Sequence, residues 1–266
     1  MTHKNTKVVI LCGGQGSRIR DIAEVVPKPM LSIGEKPILW HIMKMYAQYG
    51  LNDFILCLGY RGWVIKEFFL NYYAKISDIT IELDKENTIN YHDMNSENNW
   101  KITLAETGEA HHTGARVHAI RKYLKGSDQF CLAYGDGVAD INIDELIARH
   151  NESGLVATVT GVHPSGRFGE IEYDHDRIVE FNEKPNVGTG LINGGFMVFQ
   201  TAVLDKYFKS DENQILESDI LPLMVKDKNV GIYVHKGFWQ CMDTPREYTL
   251  LNDLWAHNNA PWKIWT

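Results

Sequence analysis

The chain has 266 residues, 44% of them hydrophobic, with 27 Lys and Arg against 34 Asp and Glu and a formal net charge of −7. That length supports one or two domains with a sizeable core, and the acidic balance argues against a nucleic-acid or anionic-membrane partner. Scattered cysteines without a Cys-x-x-Cys pair, no signal-peptide pattern and no apolar run of membrane-spanning length predict a soluble cytoplasmic protein.

The first predicted element is a strand over 7–12, an apolar β-branched run that ends in Gly13-Gly14-Gln15-Gly16-Ser17-Arg18 and is followed by Pro27-Lys28-Pro29. Glycines without a Cβ let backbone N–H groups approach an anion, and Arg18 and Lys28 add the positive charge that a polyphosphate needs. Ile19 stands where the dinucleotide fingerprint needs its third glycine, and no Lys-Ser or Lys-Thr follows, so a Walker loop is excluded too. The plain alternative is a tight turn whose glycines only permit positive φ.

Ile38, Ile42, Met45, Tyr46 and Tyr49 recur at helical spacing and predict a helix over 38–49, before a strand at 53–58 and a helix at 62–72. The stretch 78–107 is less regular. Residues 79–83 and 101–104 alternate like strands, and the polar 86–99 between them reads as a loop or short hairpin. A strand at 129–134 runs into Gly135-Asp136-Gly137, with a helix at 143–150 and a strand at 156–161 after it. The later chain is β-rich at 169–173, 178–182 and 191–199, with helices at 202–208 and 216–226. Thr244-Pro245-Arg246-Glu247 carries the N-cap threonine, first-turn proline and glutamate of a capping box for the last helix.

This alternation predicts an α/β fold over a single domain, 1–266. Its sheet is mostly parallel and Rossmann-like, flanked by helices, with a smaller β-rich part. Ligands then bind at the carboxyl ends of strands. Asp136 stands at such an end and is the first candidate metal ligand. Asp243, after Trp239-Gln240-Cys241-Met242, is the second, since Mg²⁺ is commonly held by one or two carboxylates plus phosphate oxygens. The plain alternatives are a turn residue for Asp136 and a helix cap for Asp243. Asp140 reads as the cap of the helix containing Ile143, and His41 as a satisfied core or interface histidine. Trp255, Trp262 and Trp265 read as packing a terminal segment or subunit interface. The adjacent His111 and His112 diverge, which argues against zinc.

The glycine loop with Arg18 and Lys28 resembles the signature of the sugar nucleotidyltransferases. The resemblance continues through Lys36-Pro37-Ile38-Leu39-Trp40-His41, Gly59-Tyr60-Arg61-Gly62-Trp63, Tyr134-Gly135-Asp136-Gly137 and Ala260-Pro261-Trp262-Lys263-Ile264-Trp265, so it spans nearly the whole chain. It implies an enzyme that joins a nucleoside triphosphate to a sugar 1-phosphate with release of pyrophosphate, assisted by Mg²⁺ on Asp136 and Asp243. By the same resemblance Gly13, Gly14, Gly16, Ser17 and Arg18 hold the triphosphate, with Ser17 where the family usually has threonine. Lys28 then neutralises charge at the α-phosphate. Glu183 and Lys184, in Glu183-Lys184-Pro185, and Asn193, in Ile192-Asn193-Gly194-Gly195, match the family's sugar-phosphate contacts.

Thr107-Gly108 and Thr113-Gly114-Ala115-Arg116 resemble the base-reading segment of the cytidylyl members, which implies CTP and glucose 1-phosphate as substrates and Thr113 and Arg116 at the nucleotide. A guanidinium offers only donors, which suits cytosine O2 and N3 and opposes the N3–H of uracil or thymine. The plain alternative places Arg116 on a solvated helix face. Related enzymes imply a homo-oligomer. The competing readings are the same chemistry with UTP or dTTP or with another phosphorylated acceptor, and a noncatalytic nucleotide-sensing subunit on this fold; a nicotinamide dehydrogenase is disfavoured by the broken fingerprint.

Overall fold

In a computed structural model the described residues are 3, 5–14, 26–83, 88–92, 97, 99–164, 170–174, 177–182, 190–210 and 212–265. In chain order the strands are β1 (Lys7–Leu11), β2 (Ser32–Ile33), β3 (Lys36–Pro37), β4 (Asp53–Leu58), β5 (Ile79–Glu82), β6 (Thr88–Tyr91) and β7 (Lys101–Glu106). They continue with β8 (Gln129–Tyr134), β9 (Gly137–Ala139), β10 (Ala157–Val162), β11 (Glu170–Asp174), β12 (Arg177–Asn182), β13 (Ile192–Gln200), β14 (Val230–His235) and β15 (Trp239–Cys241).

A seven-stranded sheet, ordered β14-β10-β13-β8-β1-β4-β7, forms the centre. Only β13 runs antiparallel to its neighbours, β10 and β8, and the other pairings are parallel, as the alternation of strands and helices predicted. β1, β4 and β8 are buried on both faces because every position from Val8 to Leu11, Phe54 to Leu58 and Phe130 to Ala133 is apolar. The polar 86–99 stretch contributes β6, which pairs with β5 as the short hairpin that was one of its two readings.

Helices cover the two faces: α1 (Ile38–Ala47), α2 (Gly62–Leu70), α3 (Tyr72–Ile76), α4 (Thr113–Ala119), α5 (Ile143–Ser153), α6 (Val203–Lys206), α7 (Leu221–Lys226) and α8 (Pro245–Ala256). On one face α1 presents Ile38, Ile42, Met45 and Tyr46 to Val8, Ile10, Cys131 and Ala133. On the other, Val117, Ile120, Leu216 and Ile220 pack against Val9, Ile55, Leu132 and Met197. A single π-type turn, Leu216–Ile220, precedes α7, where the sequence predicted one continuous helix.

The capping box of α8 forms as read. Thr244 accepts from the Glu247 N–H, and Glu247 Oε2 accepts from the backbone N–H of Thr244 at 2.9 Å and of Asp243 at 2.7 Å. The cap of α5 is Asn142, whose side chain accepts from the Glu145 N–H at 3.1 Å. Asp140, the residue expected there, instead lies with Oδ1 2.9 Å from His235 Nε2, two residues before the cap. His41 is fully buried as a core histidine, 3.0 Å from the carbonyl of Ile33, and burial lowers its pKa to about 4, so it is neutral. Trp262 donates to its other ring nitrogen, and Trp255 packs against it edge-on. The tryptophans thus pin the terminal segment to α1. Cys12, Cys57 and Cys131 are buried free thiols. Among the described residues no helix is long and apolar enough to cross a membrane.

Candidate active site

β1 and β8 are adjacent parallel strands with Leu11 opposite Tyr134, so the glycine turn and the Gly135-Asp136 turn leave the sheet side by side. They are packed closely: the Gly135 N–H donates to the Leu11 carbonyl at 3.1 Å, and a Cβ on Gly135 would stand 2.8 Å from that same oxygen. β15 then pairs antiparallel with β9, setting Cys241 opposite Gly137, and the Met242 N–H donates to the Asp136 carbonyl at 2.8 Å. Two residues far apart in sequence, Asp136 and Asp243, are thereby brought face to face. Lys28 arrives from a 3-10 turn, Lys28–Met30, whose entry is fixed by Pro27 and whose Pro29 is buried.

Lys28 Nζ donates to Asp136 Oδ2 at 2.6 Å and also to Asp243 Oδ1. The lysine side chain is 11% exposed, and the two carboxylates 31% and 24%. Burial alone lowers the pKa of an ammonium, but the two carboxylates outweigh it and hold Lys28 above the ordinary lysine value. Lys28 is therefore a cation shared by two acids. Beside it, Cys241 is pushed up to about 12 by burial and by Asp243, Glu247 and Asp136, so it stays a thiol.

Two cavities meet at this triad. One, of about 670 Å³, is lined by Lys28, Tyr134, Asp136, Asn193, Glu217 and Asp243 among others. The second, of about 530 Å³, is lined by Gly13, Gly14, Lys28, Thr113, Arg116 and Asp136 among others. Lys28, Tyr134 and Asp136 belong to both walls. The expected nucleotide residues thus gather on one side and the expected sugar-phosphate residue Asn193 on the other. Gly16, Ser17, Arg18, Glu183 and Lys184 lie outside the described residues.

Arg116 differs from its plain alternative. It is not on a solvated helix face but 4% exposed, pointing inward from α4. Its Nη1 donates to Leu58 O at 3.0 Å, Thr107 Oγ1 at 2.9 Å and Gly108 O at 2.7 Å, and its Nη2 donates to Gly13 O at 3.0 Å and Glu109 O at 3.1 Å. A Cβ on Gly13 or Gly59 would run into the guanidinium, which accounts for glycine at both positions. Two terminal nitrogens carry four N–H bonds in all, so these five acceptors use them fully. The guanidinium ties the glycine turn, the end of β4 and the 107–109 loop into one frame.

Sequence reasoning missed Tyr134 and Glu217. Tyr134 could have been found as the last residue before the Gly135-Asp136 turn. Glu217 left no signal, because it lies within an apolar-periodic stretch that read as ordinary helix.

A nucleotidyl transferase family model matches residues 7–254. The glucose-1-phosphate cytidylyltransferase of Salmonella typhi is 42% identical over 259 residues, covering 97% of this chain and 99% of the relative. That of Salmonella typhimurium has the same identity and coverage. The chain belongs to the glucose-1-phosphate cytidylyltransferase family of nucleotidyl transferases. Among solved structures, HddC from Yersinia pseudotuberculosis superposes with a TM-score of 0.65 at 23% identity, covering 94% of this chain and 99% of that one, which supports the fold.

The family implies a divalent metal, and the two acids fit one. Their hard oxygen donors already converge on one cationic atom, Lys28 Nζ, and so are placed to bind a cation jointly. Among the described residues no group of three or more His, Cys, Asp or Glu converges.

Proposed function

We propose that this chain transfers the cytidylyl group of CTP to α-D-glucose 1-phosphate, giving CDP-glucose and pyrophosphate. The observation that carries the reading is the Lys28–Asp136–Asp243 cluster on the boundary between two cavities, in a chain of this family. The nucleophile is a phosphate oxygen that is already anionic, so no general base or covalent intermediate is needed. What the protein must supply is alignment of two polyanions and neutralisation of their repulsion.

In this reading the triphosphate lies over Gly13 and Gly14, with Gly16, Ser17 and Arg18 joining from the sequence pattern. The sugar phosphate occupies the cavity walled by Asn193, with Glu183 and Lys184 joining it in the same way. Lys28 leaves its two carboxylates and donates to the α-phosphate oxygens, where charge grows during transfer. Asp136 and Asp243, freed of the ammonium, would hold Mg²⁺, which supplies further positive charge to the phosphates. Thr113 stands at the nucleotide cavity. Arg116 meets a base only if the base oxygen takes over one of its outer acceptors, Gly108 O or Glu109 O, and it frames the cavity in either state. Self-association belongs to the proposal too: Ile79, Ile81, Ile89 and Tyr91 share one face of the β5–β6 hairpin and stay exposed, an apolar face that a second copy would cover.

Asp136→Ala and Asp243→Ala test the assignment. Each is expected to lower turnover about 10²–10³-fold at saturating CTP and to raise the Mg²⁺ concentration needed for half-maximal rate. Either variant working at the wild-type rate with the wild-type Mg²⁺ dependence would refute it.

A further inference from the structure

A hydrogen-bonded chain crosses from the nucleotide cavity to the sugar-phosphate cavity through one residue of the π-type turn. Glu217 Oε2 accepts from the Thr113 hydroxyl at 2.7 Å, on the nucleotide side. Its Oε1 accepts from the Tyr134 hydroxyl, and the Tyr134 oxygen accepts from Asn193 Nδ2 at 3.3 Å, on the sugar side. The orientation of the Asn193 amide is fixed, because its Oδ1 accepts from the Gly195 N–H at 2.9 Å. Glu217 Oε1 is a carboxylate oxygen and can only accept, so the Tyr134 hydroxyl is the donor in that bond.

The donor roles follow from this order. With its only proton committed to Glu217, Tyr134 can meet Asn193 solely as an acceptor. The second proton of Asn193 Nδ2 is then left for a ligand oxygen in the cavity. Without Glu217 the phenol hydroxyl turns freely, and Asn193 loses the partner that aims it.

The segment bearing Glu217 is also fastened to the nucleotide side. Asn213 Nδ2 donates to Ala110 O at 3.0 Å, and Asn213 Oδ1 accepts from the His112 N–H at 2.7 Å. Ala115 N–H donates to Gln214 O at 3.1 Å, and Leu216 N–H donates to Thr113 Oγ1 at 2.9 Å. Residues 110–115 and 213–217 are therefore bonded to each other along their length.

We infer that Glu217 is a positioning residue for the sugar phosphate: it orients Tyr134 and through it Asn193, and ties that pair to the nucleotide-side segment. The inference rests on the reading of the Asn193 cavity as the sugar-phosphate site.

Steady-state kinetics with CTP and glucose 1-phosphate on wild type, Glu217→Ala, Glu217→Gln, Asn193→Ala and the Ala double variant test it. Glu217→Ala is expected to raise KM for glucose 1-phosphate at least about tenfold, a typical loss for one misdirected hydrogen bond, and to change KM for CTP less than about threefold. Glu217→Gln, which keeps an acceptor for Tyr134, should recover most of the loss. The double variant should match Asn193→Ala alone, since both act on one interaction. Melting temperature should be unchanged in Glu217→Ala, because the side chain is exposed. An unchanged KM for glucose 1-phosphate in an active Glu217→Ala enzyme, or additive effects in the double variant, would overturn this inference alone. A wild-type chain inactive with glucose 1-phosphate would overturn the reading beneath it as well.

Discussion

Replacing Lys28 by Met is expected to lower turnover at least about a hundredfold while leaving the fold intact, the usual loss when one positioned charge at a transferring phosphoryl group is removed. The variant should also behave unusually without metal. Asp136 and Asp243 share the Lys28 ammonium, and its loss removes the cation that both carboxylates hold. The urea midpoint should therefore fall in chelator and recover on addition of Mg²⁺, more than in wild type. The pH dependence has a definite sign. The Lys28 pKa is raised in the folded chain, so its stabilisation is fully present below the ordinary lysine value of 10.5 and is lost only as pH rises above it. The stability gap between wild type and Lys28→Met in chelator should thus be constant from neutral pH up to that value. Equal midpoints for both proteins in chelator, or an undiminished rate, would contradict the assignment.

Arg116→Met is expected to be the most destabilising single change at the nucleotide cavity. It removes a buried cation that donates to four carbonyls and one hydroxyl, of which Leu58 O keeps the Thr107 N–H and hydroxyl and Gly13 O keeps the Tyr60 N–H. Breaking a buried charged network costs about 3–5 kcal/mol, so a loss of at least about 3 kcal/mol is expected in urea unfolding. Arg116→Lys should rescue little, since a single ammonium cannot span acceptors as far apart as the Gly13 and Glu109 carbonyls with the planar fork of arginine. Activity should fall with stability, because the frame fixes the glycine turn. A change within about 0.5 kcal/mol would show that the guanidinium does not hold this frame together.

Much of this was legible in the sequence because it is local. Continuous apolar runs mark β1, β4 and β8, and Thr244 and Glu247 announce the start of α8 through a motif that closes within one turn. Asp136 could be placed because it directly follows a buried strand. Asp243 was named beside it, but the meeting of both carboxylates on Lys28 could not be read, since it depends on the β9–β15 pairing across about a hundred residues. Arg116 shows the same limit from the other side. Its helix was read, but not which way it faces, because an arginine breaks the apolar pattern that marks an inward face. Only the surrounding carbonyls make burial tolerable. Glu217 was invisible for a further reason: a π-type turn shifts the face a residue presents, so helical periodicity misassigns it.

The most direct test is a panel of CTP, UTP, dTTP, ATP and GTP against glucose 1-phosphate and other sugar 1-phosphates, read by pyrophosphate release with and without Mg²⁺. Mg²⁺-dependent release is expected to be fastest with CTP and glucose 1-phosphate, with CDP-glucose as the product. Release with UTP or dTTP equal to that with CTP, or no release with any pair, would contradict that expectation.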